Sequence, residues 1–300
     1  MVASGGMNTQ IPPLRRTRTV FEAVYRTYEH SGFSMAGAVA FSFVVSIFPF
    51  CIFLGALGSI IGGKEIAQQA IGQLFQILPQ RVAEGLAPEV SNVIGKARID
   101  LLGLSGLITL FFATSAIETL RAALNGAYRV KETRPYILCL LLSMLLVLVS
   151  AISMLVLTWA VVVGPGVAAR FEPSLVKQLL DSTWLAVSAR YAIAAMVIMT
   201  QLFAFHLWLA AGKRTFMDVL PGIMLSMALW LASASLYSRY LDFNDYTRFY
   251  AGLSQLMVAM IYFQVTAIIV ILGAELNRGL IELKKHRNGN SNGAPVKAAA

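Results

Sequence analysis

Thr114, Glu118, Arg121 and Asn125 recur at i, i+4, i+7 and i+11, directly after the apolar stretch "LLGLSGLITLFFA". At that spacing the four polar groups share one face of a helix. A carboxylate, a guanidinium and an amide in one stripe can hold an anionic group through charge-assisted hydrogen bonds, or can pair with one another. Two further pairs stand in apolar surroundings: Arg190 with Gln201, and Gln264 with Glu275, each eleven residues apart. Eleven residues are about three helical turns, so each pair also keeps to one face. If these faces point inward, Glu118, Arg121, Asn125, Arg190, Gln201, Gln264 and Glu275 form a discontinuous polar track suited to an anionic headgroup. Arg190 would supply the charged contact, with Gln201 and Gln264 hydrogen bonding at mid-depth. The plainer reading is local: Glu118 pairs with Arg121 and Glu275 with Arg278, each three residues on, Arg190 snorkels outward, and the glutamines join helices. His206 reads as an interfacial residue rather than a proton relay.

The elements that carry these residues follow from composition. Of 300 residues 57% are hydrophobic and only 13% charged, with mean hydropathy +0.70. Soluble domains carry about 25% charged residues, so the apolar excess needs lipid, where a spanning helix takes roughly 20 residues. Six stretches qualify: 34–62, 101–120, 136–163, 182–211, 216–237 and 249–276. The first is longer than a bilayer is thick and holds Pro49, which predicts a tilt or kink. Residues 1–30 lack an apolar signal core, so the first stretch reads as a retained span. The expected fold is all-α and polytopic, with six transmembrane helices.

Six spans place both termini on one side, with the loops after the second and fourth. That side carries fifteen lysines and arginines and the other eight, with Arg190 inside a span. The positive-inside rule then makes both termini cytoplasmic. The net charge of +9 and pI near 9.7 are distributed over short loops. They set topology and attract anionic lipid headgroups, and give no concentrated footprint for nucleic acid.

Little else carries chemistry. Cys51 and Cys139 lie far apart within apolar spans and read as small buried hydrophobes. His30, His206 and His286 have no metal-ligand spacing, and neither a phosphate-binding glycine loop nor a nucleophile elbow occurs. No catalytic residue, metal or cofactor is expected. Residues 1–32 form a basic arm ending in an interfacial helix, "TVFEAVYRTYEH", 33–285 a six-helix domain, and 286–300 a disordered tail. In the outer loop 63–99, Ile66, Ala70, Leu74 and Leu78, then Val82, Leu86, Val90, Val93 and Ala97, predict two amphipathic helices. They would lie on the membrane or lid the bundle. Ser34, Ala38 and Ser42, with Gly58 and Gly62, suit close helix packing within one chain or pairing in a homo-oligomer.

Four stretches resemble one family: "AVAFSFVVSIFPF" (38–50), "AIETLRAALNGAYRVKETRP" (116–135), "DVLPGIMLSMALWLASASLYSRYL" (218–241) and "YAGLSQLMVAMIYFQVTAIIVILGAELN" (250–277). Together they are similar to the YihY/virulence factor BrkB family of bacterial inner-membrane proteins, over roughly residues 20–285. The junction "HLWLAAGKRTFMD" departs from that family's tyrosine- and proline-containing version. The resemblance implies six transmembrane helices in a bacterial inner membrane. It also brings a ribonuclease label and links to serum resistance and to export of lipid-like molecules. The residues give ribonuclease chemistry no support, because metal-dependent cleavage needs clustered ligands in an aqueous site. The expected function is a transporter or flippase-like protein for an anionic lipid or amphiphilic envelope precursor. The alternative is a non-transporting scaffold for envelope assembly.

Overall fold

The computed structural model describes residues 19–77, 83, 104–158, 183–243 and 254–291. All of its elements are helical: α1 (Thr19–Glu29), α2 (Gly32–Ile77), α3 (Leu104–Tyr128), α4 (Tyr136–Thr158), α5 (Thr183–Ala204), α6 (Phe216–Phe243) and α7 (Ser254–Ser291). A π-helical turn, Phe205–Leu209, prolongs α5. Among the described residues five helices are long and apolar enough to cross a membrane, and the count reaches six when Phe21–Glu29 and Gly32–Ile47, bent by 76°, are joined. An ion pair supports the even number. Arg26 in α1 meets Glu282 near the end of α7 at 3.1 Å, so the first and last described helices meet at the same end of the bundle. Only an even number of crossings allows that, and α2 supplies the sixth.

Pro49 sits inside the first span, and the backbone stays helical through it; the break comes at Gly63, with φ 81° and ψ −179°. A residue with a Cβ is strained there, and glycine is not. The chain then folds back: a Cβ built on Gly58 would lie 2.9 Å from the Cα of Ala67. Ala67 is buried, Ala70 and Ile71 share a core cluster with Leu54, Met154 and Leu155, and Thr158 donates to Gln73 at 3.1 Å. The first of the two helices expected in loop 63–99 therefore packs into the bundle instead of lying on the membrane. The second, over 82–97, falls outside the described residues.

A second core cluster joins α2 to α3 through Ala36, Val39, Ile117, Leu120 and Leu124. Ser42 and Thr119 share a 2.8 Å hydrogen bond across this seam. Ser34 and Ala38 are exposed, so the expected small-residue stripe is not the packing face. The face one residue round, Ala36 and Val39–Ala40, fills that role. Helices α6 and α7 cross backbone to backbone, where a Cβ on Gly273 would meet the Gly222 carbonyl oxygen at 2.7 Å. Leu141, Leu145, Val156, Met196, Met224 and Leu231 remain outward. Such a belt is costly in water and at home against acyl chains.

Candidate functional site

The polar residues gather where α1, the end of α3, the α5–α6 junction and the last turns of α7 meet. Helix α3 closes with Arg129 N–H donating to Gly126 O and Val130 N–H to Asn125 O, both at 3.0 Å. This is a Schellman ending, whose left-handed residue is usually glycine. Here it is Arg129, at φ 53°. A side chain in that conformation costs energy and persists where its surroundings dictate it.

Those surroundings are ionic. The Arg129 guanidinium lies 3.5 Å from Glu275, whose side chain is 1% exposed, and 2.9 Å from His30 Nδ1. Arg26 holds Glu22 at 3.2 Å and Glu282 at 3.1 Å, and Arg278 donates to Glu282 at 2.9 Å and to Tyr128 O at 3.3 Å. The Arg129 Nε is buried without a partner. Burial pushes this guanidinium below its ordinary pKa, Glu275 offsets part of that, and the positive Arg278 and Arg26 add to the depression. Three arginines, Arg26, Arg129 and Arg278, thus face three carboxylates, Glu22, Glu275 and Glu282, and what is left over is the Arg129 Nε donor.

A second group centres on Glu132. It accepts from the Arg134 side chain at 2.8 Å, from Arg121 at 3.1 Å and from Asn125 at 3.1 Å. The Arg134 contact, foremost, holds the Glu132 carboxyl well below the usual carboxylate range, and the same bond raises Arg134. Arg121 also binds Glu118 at 2.5 Å, and Ser143 of α4 donates to Glu118. Arg134 reaches on to the carbonyls of Trp208 and Leu209 at 3.0 and 2.8 Å. Arg214 covers those of His206, Ala210 and Ala211 at 3.0, 2.8 and 2.8 Å. Two guanidiniums thus satisfy the orphan carbonyls at the end of α5 and complement its negative pole. Ala211 N–H adds a 2.7 Å bond to Asn125 Oδ1.

The third group is a directed relay. Gly222 N–H can only donate, and its partner is Asn277 Oδ1 at 2.6 Å. That fixes the amide, so Asn277 Nδ2 donates to Tyr128 Oη at 3.2 Å. The Tyr128 hydroxyl, its own proton still to place, shares a 2.7 Å hydrogen bond with His206 Nδ1; with the hydroxyl as donor the imidazole proton sits on Nε2. His206 is wholly buried and that Nε2 has no partner. Arg214 lies 3.9 Å over the Tyr128 ring.

Glu118, Arg121 and Asn125 are thus brought together, through Glu132, and Glu275 lies in the adjoining Arg129 group. Gln201 is elsewhere, donating to Ser150 of α4 at 2.6 Å. Gln264 is half-buried on α7 with no partner among the described residues. Arg190 belongs to α5, but its side chain lies outside the described ones. Glu118 pairs with Arg121 as the local reading holds; Glu275 pairs with Arg129 and not with Arg278. His206, expected at the interface, is buried because its ring is enclosed by the relay. Tyr128, Arg129, Glu132, Arg134, Arg214 and Asn277 were not singled out by sequence. A signal existed for Tyr128 and Glu132: the helical series through Asn125 continues to 128 and 132.

Fold and site together define an all-α, multi-pass membrane protein whose first and last described helices are joined by an arginine–carboxylate hub. The chain belongs to the virulence factor BrkB family, whose model matches residues 23–299. It is 26% identical over 259 residues to the "Putative ribonuclease-like protein YfkH" of Bacillus subtilis (strain 168), covering 85% of this chain and 92% of that protein. No solved structure matches it.

Proposed function

We propose that this protein binds and moves an anionic amphiphile, a lipid or lipid-like envelope precursor, across a bacterial inner membrane. The observation that supports the reading most is Arg129: strained, beside Arg26 and Arg278, and with a buried Nε lacking an acceptor. An oxyanion headgroup supplies the missing acceptor, while its tails stay in lipid. The positive-inside rule makes this end cytoplasmic, so the paired hub is the closed cytoplasmic end of the pathway. We read the chain as a non-enzyme without cofactor. The name of the Bacillus relative points to ribonuclease-like chemistry, but Glu118, Glu132 and Glu282 are all engaged by arginines here. Metal-dependent cleavage needs free, clustered ligands.

The scaffold reading has its own support: Gln201 with Ser150, and Glu118 with Arg121 and Ser143, are closed on one another rather than on a passage. Reconstitution into vesicles with fluorescent anionic or zwitterionic lipids decides between them. Transport predicts faster transbilayer movement of the anionic probe than in empty vesicles, and slowing by Arg129→Gln. Equal rates in parent, variant and empty vesicles leave the scaffold.

A further inference from the structure

Helix α1 is amphipathic with its polarity reversed. Its inward face is Glu22, Ala23, Arg26 and Thr27, with Ala23 2% and Thr27 2% exposed. Its outward face is Phe21, Val24, Tyr25 and Tyr28, 82%, 45%, 64% and 74% exposed. The spacing i, i+3, i+4, i+7 makes one continuous apolar stripe. In a water-surrounded protein such a stripe would be turned into the core. Here Arg26 and its carboxylates occupy the inside, fastened to α7 through Glu282 at 3.1 Å.

The surface that covers this stripe is marked by three observations. Phe21–Glu29 lies at 76° to Gly32–Ile47, so α1 runs nearly along the plane that the first span crosses. Phe33, Phe41 and Val45, on the span that follows, are also outward, at 42%, 59% and 50%, so the stripe continues a lipid-facing belt. In the sequence Arg15, Arg16 and Arg18 precede it, a charge pattern that complements anionic headgroups. Amphiphilic tyrosines at the edge suit the headgroup layer. Nine residues with Glu22, Arg26 and Glu29 among them are too short and too charged to be half of a span.

We propose that α1 is a membrane-surface helix, lying in the headgroup layer of the leaflet at the chain's terminal end. Phe21, Val24, Tyr25 and Tyr28 enter the acyl boundary, and Arg26 clamps the helix to α7. The helix is thereby an arm that ties lipid packing in that leaflet to the helix bearing Glu275 and Asn277. This holds whether or not the chain transports lipid.

The test places single cysteines at positions 21, 25, 28 and 29 of the full chain, with Cys51→Ala and Cys139→Ala, and labels them with an environment-sensitive dye in anionic phospholipid vesicles. Labels at 21, 25 and 28 are expected to shift to the blue and lose intensity to lipids spin-labelled near the headgroup. The label at 29 is expected to be quenched by aqueous iodide. Three results overturn the proposal: iodide quenching at 21, 25 and 28; quenching strongest from bilayer-centre spin labels, which makes α1 part of a span; or quenching only between labelled copies, which makes the stripe a protein interface. Should the cysteine variants not fold, the unaltered chain in vesicles carrying a photoreactive anionic phospholipid serves: adducts within 21–28 support the proposal, and adducts absent there refute it.

Discussion

Tyr128→Phe isolates the relay that joins four helices. The substitution keeps the ring beneath Arg214 and removes one oxygen, which accepts from Asn277 at 3.2 Å and shares a hydrogen bond with His206 at 2.7 Å. Asn277 and His206 are both 0% exposed, so water does not replace the lost partner. Each stranded buried polar atom costs about 1–3 kcal/mol, and two of them, with some relaxation, cost roughly 2–4 kcal/mol. At about 2–4 °C per kcal/mol for a chain of this order of size, the midpoint falls by roughly 5–10 °C. The chain carries its own reporters: Cys51 and Cys139, each 1% exposed, react with a thiol-sensitive dye only as the bundle opens. Tyr25→Phe, on a side chain 64% exposed, is the control and stays with the parent. Combining Tyr128→Phe with His206→Leu should cost less than the two separate losses added, because the imidazole is no longer stranded. A Tyr128→Phe midpoint within about 1 °C of the parent, or strict additivity with His206→Leu, refutes the relay.

The other predictions concern different parts of the bundle. Gly222→Ala should destabilise by about 1–3 kcal/mol, because its Cβ collides with α7; Gly37→Ala, with nothing within 4 Å, should be neutral or stabilising in the same melts. Glu132→Gln should weaken the hub, since Arg121 and Arg134 both lose a charged acceptor. The native Glu132 pKa is depressed, so its contribution is complete above the unfolded value of about 4.3 and is lost as pH falls toward the folded one. The gap between parent and Glu132→Gln in tryptophan-monitored melts should therefore be widest near neutrality and narrow below about pH 4; a gap that widens with acid contradicts the sign. Cysteines at the exposed Glu29 and Lys285 should react with impermeant reagents from one and the same side of sealed vesicles, and labelling from opposite sides would exclude six crossings.

Span positions were legible because each apolar run is its own signal. The fold-back at Gly63 was not, since "GG" in an apolar run marks a turn as readily as a packing face; only contact between Gly58 and Ala67 distinguishes them. For the site, the stripe Glu118–Arg121–Asn125 pointed to the right face of α3, but its partners Glu132 and Arg134 stand in a loop whose charges read equally well as topology signals. Charge patterns in one sequence show which groups share a helix face, not which helix lies opposite. Gln201 illustrates this: its spacing from Arg190 put it on a common polar track, yet it bonds Ser150, which has no distinguishing pattern. Arg129 was hidden for another reason. Nothing in the sequence marks an arginine placed where helices ordinarily end in glycine.

Native mass spectrometry of the delipidated protein, titrated with an anionic and a zwitterionic phospholipid of identical chains, addresses the Arg129 site without reference to transport. The parent should retain the anionic lipid preferentially, and Arg129→Gln should lose that preference while keeping the fold and its neutral lipid binding. Equal retention of the two lipids by the parent, or an unchanged preference in Arg129→Gln, would show that the guanidinium at the end of α3, with its unpaired Nε, is not a headgroup site.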